Sequence, residues 1–225
     1  MPPIALGQPR PGLRLALVAI GVLVPLLAGF ALHNHVVSRG EAVDAAWAQV
    51  ESSYQRRADL IPALVEAVQR HMRHEAETLE RVVSARGEAL ERFAATASAL
   101  ADAQQASSRA LAEMGGSAPA TQSELTGLSA SQARVADGIQ QVLALAESYP
   151  ELRSADHFLE LQAQVEGSEN RIHVARMGFN DAVRVYNAAL EQLPTRSFAQ
   201  ARGYERRAYF QTDEAARHAS KLDFD

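Results

Sequence analysis

Apolar residues recur at steps of three and four along most of this chain, and that period predicts helices rather than strands. The clearest run covers 154–193, with a seam of Phe158, Leu161, Val165, Ser168, Ile172, Ala175, Phe179, Ala182, Tyr186, Ala189 and Leu193. The steps alternate without a slip, as in a helix packed nearly parallel to its neighbours. Ser154 is placed to cap its start and Pro194 to end it. At ~1.5 Å per residue this rod is about 58 Å long. A second seam runs Leu125, Leu128, Gln132, Val135, Ile139, Val142, Ala146 and Tyr149, closed by Pro150. A third runs Val65, Val68, Met72, Ala76, Leu79, Val83, Leu90 and Phe93, after a segment carrying Trp47, Val50 and Tyr54. Pro62 in a regular helix interior loses a hydrogen bond and clashes one turn back, so a kink or short break is predicted near 57–59, with Asp59 as a cap. Residues 114–119 (MGGSAP) read as a turn. After His33-Asn34-His35 the sequence carries almost no alternating β-branched runs or Asn-Gly hairpin signals. The predicted fold is all-α: an N-terminal transmembrane helix, then an elongated antiparallel bundle of three to four long helices.

Residues 15–32 (LALVAIGVLVPLLAGFAL) depart from the amphipathic period, holding 18 residues without a charge. Their helical rise of about 27 Å is close to the hydrocarbon thickness of a bilayer. Arg14 at the edge can snorkel to the headgroups, and Gly21, Pro25 and Gly29 are tolerated in a spanning helix. A buried core helix is disfavoured because no face offers water a polar stripe. A cleavable signal peptide is the rival, with Arg10 and Arg14 as its basic region and Gly29-Phe30-Ala31 as its cleavage site. The apolar run exceeds the roughly 7–15 residues of such signals, so a retained anchor is the reading adopted. Arg10 and Arg14 precede the span without an acid, whereas Arg39 with Glu41 and Asp44 follows it. That bias predicts a cytoplasmic N-terminus and an extracytoplasmic body. The organisation expected is a short tail at 1–14, a transmembrane helix at 15–33, a bundle at 34–194 and a partly ordered tail at 195–225. In that tail Phe198, Tyr204, Tyr209, Phe210 and Phe224 punctuate polar sequence, which either packs back on the bundle or stays free of it.

Composition narrows the chemistry. Hydrophobic residues at 47% and charged residues at 22% describe a chain that folds around a core. A net charge of −5 argues against nucleic acid as a partner. With no Cys, disulfides, thiolate metal sites and cysteine nucleophiles are excluded. Phosphate-cradling loops, nucleophile elbows and zincin motifs are missing as well, so no catalytic residue and no cofactor is expected. His71, His74 and Glu75 form a weak candidate metal cluster, but it lacks further ligands and Arg70 and Arg73 oppose a cation. A solvated helix face explains them more simply, as interface polarity explains His33 and His35. Arg56, Arg57 and Asp59 suit either an anionic ligand or, preferably, capping and ion pairs to a neighbouring helix. A polar line of Glu166, Asn170, His173, Met177, Asn180, Arg184 and Asn187 accompanies the longest seam. It either fixes helix register or lines a groove for a protein partner. Trp47 reads as a core plug.

Several motifs then carry a resemblance. Ala46-Trp47 leads to Arg56-Arg57-Ala58-Asp59-Leu60-Ile61-Pro62, Leu64-Val65-Glu66 and His74-Glu75. Tyr149-Pro150-Glu151-Leu152 and Glu169-Asn170-Arg171-Ile172 follow, then Phe179-Asn180, Val183, Tyr186-Asn187 and Tyr209-Phe210. Their order resembles the LemA family. The resemblance implies a bacterial protein with one N-terminal transmembrane helix and a helical-bundle body; some relatives belong to magnetosome formation. It implies no known reaction. The chain departs from the family at His33 to Glu41 and at Ala201-Arg202-Gly203-Tyr204. The expectation is a single-pass protein of the bacterial inner membrane, an interaction or assembly module of the cell envelope without catalytic activity. Its expected partners are the bilayer through 15–32 and either a second copy or another envelope protein. The rival readings are a metal-dependent hydrolase using His71, His74 and Glu75, and a periplasmic carrier of an apolar ligand.

Overall fold

The computed structural model describes residues 11–78, 83–147, 149, 152 and 155–211. Among these residues the secondary structure is helical, without a strand. The helices are α1 (Pro11–Thr78), α2 (Val83–Glu113), α3 (Gln122–Glu147), α4 (Asp156–Glu191) and the short α5 (Thr195–Arg202). They run up, down, up and down, with α4 packed chiefly on α1 and α2 on α3.

The 68 residues of α1 rise without a break through Pro25 and Pro62. The predicted break near Asp59 is therefore not there. The buried positions of α1 explain why: Val36, Val43, Trp47, Val50, Tyr54, Arg57, Ile61, Leu64, Val68 and Met72 keep steps of three, four and seven straight past the proline. Pro62 lies on the exposed side, where water can take the carbonyl it leaves unpaired. Asp59 does not cap; its Oδ1 accepts from Gln55 Nε2 one turn earlier at 2.8 Å. The third predicted seam is also divided. α1 ends at Thr78, and Phe93 belongs to α2, which runs back along the bundle and buries that ring beside Val68 and Met72.

The predicted turn joins α2 to α3. Gly115 and Gly116 take φ of +61° and +76°, a left-handed region that L side chains rarely adopt. α3 then opens on a capping box. Glu124 N donates to Thr121 Oγ1 (3.3 Å), while the Glu124 carboxylate accepts from the amides of Thr121 (3.2 Å) and Ala120 (2.9 Å). The Thr121 amide, followed by that of Ala120, holds the Glu124 carboxyl below its usual value. α4 opens at Ala155, without a side-chain cap; Ser154 lies outside the described residues. Its seam follows the prediction from Phe158 to Phe179 and again at Tyr186 and Ala189, with Val183 buried in place of Ala182 and Asn187 and Leu190 added. Leu193 falls beyond the helix end and is exposed.

Two apolar clusters fill the bundle. One gathers Trp47, Val50, Leu125, Leu128, Phe179, Val183 and Phe210; the other Leu64, Val68, Phe93, Leu100, Ile139, Val142 and Phe158. Residues 19–30 of α1 stand clear of both: Ile20, Leu23, Leu26, Leu27 and Phe30 are more than half exposed. Among the described residues, α1 is the one helix with a stretch long and apolar enough to cross a membrane.

Candidate functional site

Between the two apolar clusters lies a buried polar layer built from one residue of each long helix. Arg57 on α1 is 3% exposed. Its Nη1 donates to Glu169 Oε1 on α4 at 2.6 Å. Its Nη2 donates to the side-chain and backbone oxygens of Gln132 on α3. Gln132 Nε2 in turn donates to Ser107 Oγ on α2. Arg57 Nε is buried and has no partner. Charge-assisted bonds offset much of the cost of burying the guanidinium, and they do so only when all four helices stand at one level.

One turn toward the N-terminal end, Arg176 Nε donates to Tyr54 Oη at 2.8 Å. The Arg176 guanidinium lies over the rings of Tyr54 and Phe210, 5.5 and 5.0 Å from their centroids. Burial pushes the Tyr54 phenol up from its ordinary range, opposed by the charge and hydrogen bond of Arg176. Beyond it Trp47, fully buried, meets Phe179 edge-on at 5.6 Å and stacks on Phe210 at 6.3 Å.

Phe210 is held there by two asparagines of α4. Asn180 accepts from Phe210 N (2.9 Å) and donates to Phe210 O (3.0 Å). Asn187 does the same to Arg207, at 2.9 Å in each direction. Each amide mimics a peptide group and satisfies both the N–H and the C=O of one residue in the segment. Arg207 Nη1 adds a bond to Ala118 O at 2.7 Å, tying the segment to the α2–α3 turn. The segment after α5 thus lies as a strap along the bundle.

The other sequence candidates are dispersed. Arg56 and Asp59 are exposed, so the predicted trio contributes Arg57 alone to the interior. Of the polar line on α4, Asn180 and Asn187 turn inward; Glu166, Asn170, His173, Met177 and Arg184 face solvent, as does Arg171. His71 and His74 do share a groove of about 360 Å³, joined by His157 from α4 and floored by Leu152 and Phe158. His71 is half-buried, with Nε2 unpartnered, and meets Tyr149 edge-on at 6.4 Å. The side chain of Glu75, like Pro150, lies outside the described residues. Among the described residues, no group of three His, Asp or Glu side chains is placed to hold a metal ion. Tyr186 is buried against Gly40. Sequence reasoning missed Ser107, Arg176 and Arg207 as partners. Their one signal is long-range pairing, which periodicity cannot show.

These features define a class: an up-down four-helix bundle continuous with an apolar leader helix, held in register by a buried polar layer and strapped by its own C-terminal segment. The model of the LemA family matches residues 46–224, and the chain belongs to that family. Among curated proteins it is similar to magnetosome protein MamQ of Magnetospirillum gryphiswaldense, 30% identical over 74 residues, which are 33% of this chain and 27% of the relative. Magnetosome protein MamQ 2 of Paramagnetospirillum magneticum is 28% identical over 79 residues, 35% of this chain and 29% of the relative. The chain thus covers less than a third of the length of these relatives.

Proposed function

We propose that this protein is a membrane-anchored, non-catalytic interaction module of the bacterial cell envelope, single-pass in the inner membrane with its bundle on the extracytoplasmic side. The observation that carries this reading is α1. Its exposed, uncharged stretch runs on without interruption into the bundle core, so the anchor and the body form one rod. Arg57, Gln132 and Glu169 border an open groove of about 470 Å³, but Arg57 is already bonded there to both Gln132 and Glu169, which supports the non-catalytic part. What remains for a partner is the outer face of α4, where Val174 and Met177 are 59% and 56% exposed. Confinement to a membrane raises the effective concentration of neighbouring copies, so a weak contact on that face is enough for assembly.

The test is crosslinking in intact membranes at native expression, from single cysteines placed at Val174 or Met177. A homo-oligomer or one defined partner is expected; monomer alone at both positions contradicts the assembly role. The carrier reading fares less well, because packed side chains occupy both clusters, and the apolar groove at His71 and Phe158 is open to solvent.

A further inference from the structure

We propose that α5 and the turn before it form a collar resting on the bilayer, with Leu193 in the headgroup layer and Arg196 and Arg202 beside lipid phosphates. This rests on the reading of α1 as a membrane span. The register of α1 against α4 sets the level. Trp47 meets Phe179, and Gly40 lies against Tyr186, seven residues further along each helix in opposite directions. Extending that pairing brings the end of α4 beside His35 and Leu193 to the height of His33.

Direct contacts fix α5 at the same height. Tyr204 Oη is 3.0 Å from His33 Nδ1, and the Phe198 ring meets His33 edge-on at 6.4 Å. His33 directly follows the last residue of the apolar run. The α2–α3 turn is farther away: Ala118 N reaches Asp44 Oδ1, about 18 Å beyond Leu32 along the helix. Among the described residues outside α1, the α5 end is therefore the part of the body closest to the span's exit.

The chemistry of that end suits an interface. Leu193 is 78% exposed, more than Phe30 within the span at 67%. A lone exposed leucine is unremarkable on a free surface, but the helix register puts this one level with the exit of the span. Arg196 and Arg202, in the first and last turns of α5, are exposed, with stems long enough to snorkel. The acid closest to the turn, Glu191, is already tied to Arg206. Insertion of Leu193 with phosphate contacts from the arginines stops the body from tilting about the single span.

The absence of Cys permits a direct test on the full chain. Leu193→Cys, carrying a fluorophore, is reconstituted in phosphatidylcholine–phosphatidylglycerol vesicles with brominated acyl chains. Leu26→Cys marks the span, and Ala144→Cys marks the far end of α3. The collar predicts strong quenching at Leu26, at least a third as much at Leu193 and none at Ala144. Quenching at Leu26 with Leu193 as silent as Ala144 overturns the collar and leaves the anchor standing. A silent Leu26 overturns both. Arg196→Glu with Arg202→Glu lowers the Leu193 signal at least twofold; an unchanged signal overturns the phosphate contacts.

Discussion

A guanidinium buried to the extent of Arg57 is costly if left alone, and its neighbours are as exacting as it is. Arg57→Ala strands Gln132 and Ser107 in the interior, while Glu169, with its side chain 39% exposed, can rehydrate. The expected loss is about 2–4 kcal/mol, measured as a lower urea midpoint by circular dichroism in detergent. Glu169→Gln keeps an acceptor for Nη1, so about 1 kcal/mol is expected. Tyr54 adds a pH dependence. Its phenol lies above the usual 10.0, first because it is buried and despite the opposing charge of Arg176. The folded state therefore favours the neutral form. That contribution is complete below about pH 10 and is lost as pH rises through the raised value. Alkaline titration of stability is expected to fall less steeply over this window in Tyr54→Phe than in the parent; equal slopes contradict the assignment.

Helices meet where small residues and amides allow it. A Cβ at Gly138 on α3 would lie 3.0 Å from Leu100 Cδ1 and 3.1 Å from its Cβ on α2. Gly138→Ala is expected to cost about 1–3 kcal/mol through overpacking, read in the same urea titration. The strap depends on Asn180 and Asn187, so Asn180→Ala with Asn187→Ala is expected to speed tryptic cleavage at Arg206 and Arg207 several-fold without unfolding the bundle. The seams of α3 and α4 were legible because steps of three and four run without a slip from Leu125 to Ala146 and from Phe158 to Phe179, with Gln132 and Ser168 the polar members. The reversal between α1 and α2 was not, because residues 74–86 carry no Pro or Gly and keep a helical period. Pro62 misled in the opposite sense: a breaker on an exposed face does not break a helix whose buried side is continuous. Arg57 and Glu169 were visible as motif residues, yet their pairing with Gln132 and Ser107 spans residues far apart in the chain. Likewise the two asparagines stood out on α4, while their partner, the backbone of 207–210, offers no side-chain pattern to read.

At the scale of the whole molecule, the polar layer fixes the register of the four helices, the strap closes one end, and α1 projects from that same end. Among the described residues Val36 is the first buried position of α1, and His33, one turn before it, meets the collar. A rod of this kind transmits the orientation of its anchor directly to its body. The most direct measurement is thiol accessibility along α1 in native membranes, using single cysteines in this otherwise Cys-free chain and a water-soluble maleimide. Cysteines replacing Leu23, Leu26 or Phe30 should be protected until detergent is added, while one replacing Ser38 or Ser52 should react at once. Equal reactivity at Leu26 and Ser52 in intact membranes, or a mature chain that has lost residues 15–32, would contradict the anchored bundle.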